Sequence, residues 1–265
     1  MNERSVTSKP ARAGETVKQL ALNLDDKVLD RLGLLPPVDQ RARLAAQYRS
    51  VKRQLINKIR TSKSPGDRLI VVTSAVAGEG KTFTSINLAL SLARERDYSV
   101  LLIDGDVIKP TVSRLFGVDN LPGLLNAVRS ESGDVEELLV KTTLRGFSVL
   151  SAGGNSRDAT EMLASASMER VCARLLAESS RIVVVDSPPL LLTTEAQAIA
   201  QHMGQVIIVV DAQATPQRAV IDAIDALGER SGVQLVLNRA ARSRLQNYYY
   251  GYGDDQSYGQ NHESE

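Results

Sequence analysis

From Leu69 onward the chain repeats one pattern: a short, continuously apolar run, then a segment of helix length. The runs are LIVVTSA from Leu69, VLLID from Val100, FSVLSAG from Phe147, IVVVDSP from Ile182, QVIIVVDA from Gln205 and VQLVLNR from Val233, six in all. A strand with one wet face alternates apolar and polar residues, whereas an unbroken run is apolar on both faces and needs cover on each. Strands separated by helices pair in parallel, because the crossover returns each strand to the same end of the sheet. The pattern predicts a doubly wound, mostly parallel α/β sheet over residues 61–240. With 265 residues and 43% hydrophobic content, the chain can bury one such core.

The flanks read differently. Residues 1–60 form an N-terminal segment that opens on the polar, aperiodic MNERSVTSKPARAG, expected to be disordered. After Pro36 and Pro37, residues Leu44, Tyr48, Val51, Leu55 and Ile59 recur at steps of three and four, predicting an amphipathic helix from Asp39 to Arg60. The apolar stripe is its packing face, and the basic outer face is left for neighbours. Residues 1–68 hold 15 Lys and Arg against 7 Asp and Glu, so the net charge of +1 hides a basic front end. No aromatic interleaving accompanies that charge, so nucleic acid is not the expected partner. Residues 241–265 form a flexible tail in which Tyr248, Tyr249, Tyr250, Tyr252 and Tyr258 are five of the chain's seven tyrosines. No apolar stretch approaches the roughly 20 residues of a membrane span, which points to a cytoplasmic protein. The single cysteine, Cys172, lies in the helical pattern MERVCARLLAE and reads as a small buried hydrophobe.

Directly after the first run comes AVAGEGKT, residues 75–82, leading into the helical SINLALSLARE. This is a phosphate-binding loop of the Walker A type with Ala75 in place of its first glycine. Backbone N–H groups curl round phosphate oxygens, Gly78 and Gly80 let the backbone approach, and the helix N-terminus faces the anion. Gly78, Glu79, Gly80, Lys81, Thr82 and Phe83 are therefore the expected ATP-binding residues. Lys81 reaches the β- and γ-phosphates, and Thr82 offers a hydroxyl to Mg²⁺. The second run ends in Asp104-Gly105-Asp106 and the fourth in Asp186-Ser187-Pro188-Pro189. Ligands of open parallel sheets sit at the carboxyl ends of strands, so these carboxylates converge on the phosphates, with Asp186 as the Walker B group. Asp at a strand end also caps helices, but capping accounts poorly for three such residues around one loop.

A phosphate loop followed by a run ending in Asp-x-Asp resembles the deviant P-loop ATPases that include partition and division-site proteins. Within that group AVAGEGKT, LLIDGDVIKP, ATEMLAS, VVVDSPP, VVDAQATPQRAV and LVLNR, with the tyrosine tail, resemble the bacterial tyrosine kinases of capsule and exopolysaccharide systems. LGLLPP followed by AAQYRSVKRQL is further similar to the exosortase-associated autokinases. The resemblance implies transfer of phosphate from ATP to tail tyrosines of another copy. It also implies Asp104 as general base, Asp106 with Thr82 and Asp186 at Mg²⁺, and self-association. A membrane protein of the polysaccharide chain-length-determinant type would act as activator and bring the kinase to the inner face of the membrane. Asn238, after the last run, is placed near the adenine, although Asn there is also an ordinary turn residue.

The sequence departs from these patterns at three places. Val76 stands where partition proteins carry a signature lysine, which favours the kinases over a partition or membrane-positioning ATPase. The Glu-x-x-Arg-x-x-Arg segment linked to ring assembly reads Ala46-Gln47-Tyr48-Arg49-Ser50-Val51-Lys52, without its Glu. Lys109 replaces an arginine common after the second Asp, a point charge in place of a planar fork.

Overall fold

The computed structural model describes residues 21–34, 38–130, 134–228 and 232–240. The polar N-terminal start and the tyrosine tail lie outside these residues. Among the described residues eight strands form one sheet: β1 (Ala21–Leu22), β2 (Leu69–Ser74), β3 (Ser99–Asp104), β4 (Val140–Thr142), β5 (Phe147–Leu150), β6 (Arg181–Asp186), β7 (Gln205–Asp211) and β8 (Val233–Asn238). Their order is β1-β4-β5-β3-β6-β2-β7-β8, parallel at every pairing but β4 with β5. All six apolar runs form strands. The two extra strands, of two and three residues, are too short to leave a periodic trace in the sequence.

Alternate residues of each buried strand feed two separate cores. Val71, Ile103, Val185 and Ile208 face one layer with Leu124, Leu163, Val171 and Ile199. That layer is built from α5 (Leu124–Arg129), α6 (Ala159–Leu163), α7 (Ala166–Ala177) and α8 (Thr194–Gln201), with α9 (Gln217–Asp225) at its margin. Val72, Leu102, Val184 and Ile207 face the other layer with Leu55, Ile86 and Val112. Here lie α2 (Val38–Thr61), α3 (Lys81–Leu92) and α4 (Thr111–Leu115), after the short α1 (Asp26–Arg31). Cover on both sides explains why β2, β6 and β7 are buried along their whole length. The exception is β8: as the last strand of the sheet it leaves Leu235 and Leu237 exposed, although its run reads like a central one.

The amphipathic helix forms within a residue of its expected limits, but its inward face is wider than the apolar stripe. Lys52 is buried, donating to the Ser91 carbonyl at 3.1 Å and pairing with Glu95 at 2.6 Å. It fastens α2 to the end of α3 and so is not part of the outer basic face. Lys58 fastens the same helix lower down, 3.0 Å from Asp67 and 3.1 Å from the Gly204 carbonyl.

Candidate active site

The loop between β2 and α3 is shaped by Gly78 and Gly80, both at positive φ. At Gly80 space decides as well: a Cβ there would lie 2.2 Å from the Asn238 side-chain nitrogen. That nitrogen donates to the Glu79 carbonyl at 2.8 Å, so the end of β8 is tied to the loop. The Glu79 side chain turns into the protein, accepting from Val76 N at 2.7 Å, Asp211 N at 3.3 Å and the Thr215 hydroxyl. It braces the loop against the end of β7, and what Glu79 presents towards a phosphate is backbone. Gly78, Gly80, Lys81, Thr82 and Phe83 line a cavity of about 500 Å³ with Asp106 and Lys109 on its far side.

Strand register brings the carboxylates together, because Asp104 on β3 is the direct partner of Asp186 on β6. Gly105 permits this closeness: its amide donates to the Asp186 carbonyl at 2.7 Å, and a Cβ would sit 2.8 Å from Val185. Asp186 is fully buried and accepts from the Thr82 hydroxyl at 2.8 Å with Oδ2, with the Ser85 hydroxyl also near the carboxyl, while among the described residues its Oδ1 has no hydrogen-bond partner within normal geometry. Burial pushes its carboxyl up to about 6 against the opposing pull of Lys81 and Thr82. A buried carboxylate oxygen without a donor, next to a threonine hydroxyl, suits a hydrated Mg²⁺. Lys81 Nζ lies 3.5 Å from Asp106 Oδ2.

Asp104 and Asp106 are placed differently. Asp106 reaches the cavity wall, held by Lys109 N donating to its Oδ1 at 2.8 Å. Asp104 has no exposed surface: its Oδ2 accepts from the Ser113 amide and hydroxyl, each at 2.7 Å, and its Oδ1 from Asp106 N at 3.2 Å. Burial pushes its carboxyl up to about 7, opposed by the Ser113 bonds and reinforced by Asp186. These bonds leave a lone pair on Oδ1 to take a proton, although the group is closed to solvent.

A second concavity of about 650 Å³ opens between α2 and β8, lined by Tyr48, Val51, Phe83, Leu237, Asn238 and Arg239 among others. It meets the phosphate cavity at Phe83, which lines both. Asn238 lines this second concavity, with its amide donating to the Glu79 carbonyl of the loop.

A family described as an AAA domain matches residues 67–231. The putative tyrosine-protein kinase CapB of Staphylococcus aureus is 30% identical over 188 residues, spanning 70% of this chain and 81% of that protein. The chain belongs to the bacterial tyrosine kinase family. The kinase domain of VpsO is 29% identical with a TM-score of 0.60, covering 77% of this chain and all of that one. The McdA–ATP complex of Cyanothece, at 21% identity and a TM-score of 0.52 over 69% of this chain and 76% of that one, shares the fold alone. In this bacterial tyrosine kinase the 75–82 loop follows β2, Asp104 and Asp186 end β3 and β6, and Asp106 lies two residues past the end of β3. Ser113, Thr215 and Asp211 are the site's unforeseen members. Asp211 carried a signal, since it ends a strand as Asp104 and Asp186 do. Thr215 follows that strand end in the next turn and Ser113 lies in a stretch with no strand end to mark it, and only the folded chain brings them to their carboxylates.

Proposed function

We propose that this kinase binds MgATP and transfers its γ-phosphate to Tyr248, Tyr249, Tyr250, Tyr252 and Tyr258 of another copy, giving phosphotyrosine and ADP. The observation that carries this most is the partnerless Oδ1 of Asp186 beside Thr82 and Lys81, a set suited to a triphosphate and its cation. Thr82, Asp106 and Asp186 would hold Mg²⁺, which when bound neutralises charge on the β- and γ-phosphates. Lys81 orients the γ-phosphate, Asp104 accepts the tyrosine proton, and Gly78 to Phe83 with Asn238 fix the nucleotide from phosphates to adenine. Phosphoryl transfer asks little more of a protein than position and charge.

The family resemblance extends the proposal to exopolysaccharide or capsule synthesis and export. The kinase works at the inner face of the membrane beside a chain-length-determinant protein that activates it. Among the described residues no helix is long and apolar enough to cross a membrane. Purified protein incubated with ATP and Mg²⁺ is expected to accumulate phosphotyrosine, and Lys81→Ala to accumulate none while melting within a few degrees of wild type. ATP hydrolysis without phosphotyrosine would move the chain to the positioning ATPases instead.

A further inference from the structure

In the phosphate cavity Lys81 and Asp106 lie deep, whereas Ile108 and Leu192 stand at the mouth beside the exposed Lys109. The side chains of Lys81 and Asp106 are 14% and 8% exposed. Ile108 and Leu192, which line the same cavity, are 46% and 59% exposed. Both stand on hydrogen-bonded loops. On one side the loop is held by its own turn, Val107 N donating to the Gly105 carbonyl at 3.1 Å and Lys109 N to Asp106. On the other, Leu190 N donates to the Ser74 carbonyl at 2.8 Å and Leu191 N to that of Ala75 at 3.2 Å. Large aliphatic side chains at the mouth of a charged cavity offer nothing polar to a triphosphate, whereas they suit the apolar faces of an aromatic ring.

We propose that Ile108 and Leu192 are the walls that hold the phenol ring of the acceptor tyrosine, and that they set the preference for tyrosine over serine and threonine. The inference rests on the kinase reading of this cavity and names its acceptor subsite. A phenol has apolar faces and a polar tip. Seated between the two walls, it carries its hydroxyl down to the level of Lys81 and Asp106 while its main chain stays at the rim. A serine or threonine hydroxyl, one bond from Cβ, stays at the rim with its main chain. The occupant is residues 248–258 of a second copy. Lys109, exposed beside Ile108 on the rim, complements Asp254 and Asp255, which lie between Tyr252 and Tyr258.

The test uses the full chain with a synthetic peptide of residues 246–260. Ile108→Ser and Leu192→Ser are each expected to raise the peptide KM roughly ten-fold, the scale set by removing apolar contact from a binding pocket. The KM for ATP should stay within about two-fold of wild type, and Ile108→Val should recover most of the loss. An unchanged peptide KM in an active variant overturns the inference, and so does an equal rise in both KM values, which would give these residues to the nucleotide. Altered sedimentation without an altered peptide KM also overturns it, since the rim would then cover another copy for a different purpose. A wild-type protein that makes no phosphotyrosine fails at the kinase reading, and the walls fail with it.

Discussion

Glu79 shows how much of the phosphate loop's shape is held from behind. Its carboxylate accepts from two backbone amides and one hydroxyl, and is 2% exposed. Gln keeps the shape but turns an N–H₂ towards donors, so Glu79→Gln should cost about 1–3 kcal/mol of stability and loosen ATP binding. Urea denaturation measures the first and nucleotide titration the second, and an unchanged midpoint would show that the loop is held otherwise. The two carboxylates of Asp104-Gly105-Asp106 should separate as their positions do. Asp104→Asn is expected to keep MgATP and lose transfer, whereas Asp106→Asn, on the cavity wall, should also weaken the Mg²⁺ dependence of binding. Equal loss of nucleotide in both variants would refute the division. At this scale the sequence was legible where chemistry follows a strand end, as at Lys81, Asp104 and Asp186. It was opaque at Ser113 and Thr215, whose partners are chosen by how two loops approach each other.

At the scale of elements, α2 carries the clearest lesson. Its period marked a helix and an apolar stripe, but periodicity assigns charged residues to the wet side and so missed Lys52. A long side chain can bury its stem and still meet a carbonyl and a carboxylate. Lys52→Ala should lower stability by about 1–2 kcal/mol, by losing the Ser91 bond and the Glu95 pair, with ATP affinity unchanged. A urea midpoint equal to wild type would show that α2 is held by its apolar contacts alone. Arg49, exposed about one turn before Lys52, remains the basic residue of the 46–52 segment available to a neighbour. β8 gives the converse case. An apolar run reports strand propensity but not whether a further strand or helix covers it, so the exposure of Leu235 and Leu237 could not be read in advance.

For the whole molecule, each phosphate on the tail adds roughly −1.5 to −2 charges at neutral pH. Five of them give on the order of −8 to −10 on a segment that already holds Asp254, Asp255, Glu263 and Glu265. Such tails repel one another and leave an acidic site, so phosphorylation should drive copies apart, less so at high salt. Replacing the five tyrosines with Phe is expected to remove most phosphotyrosine, preserve ATP binding and keep the protein associated in sedimentation. Phosphate found chiefly on Tyr48 or Tyr98 would refute this. So would a phosphorylated wild type that sediments like the Phe variant.

The end of β8 has a kinetic side. Asn238 braces the nucleotide loop, and Ala240, two residues later, lines the groove that meets the phosphate cavity at Phe83. Only seven residues separate Ala240 from Tyr248, a tether of at most about 29 Å. A tethered group can reach a local concentration in the millimolar range. Each copy therefore offers its own site a rival substrate that dilution cannot remove. Exchange between copies prevails only if a tether this short holds its own tyrosines out of line, or if assembly brings a neighbour's tail closer still. The dependence of initial rate on protein concentration, first order against second, distinguishes a chain that modifies itself from one that modifies its neighbour.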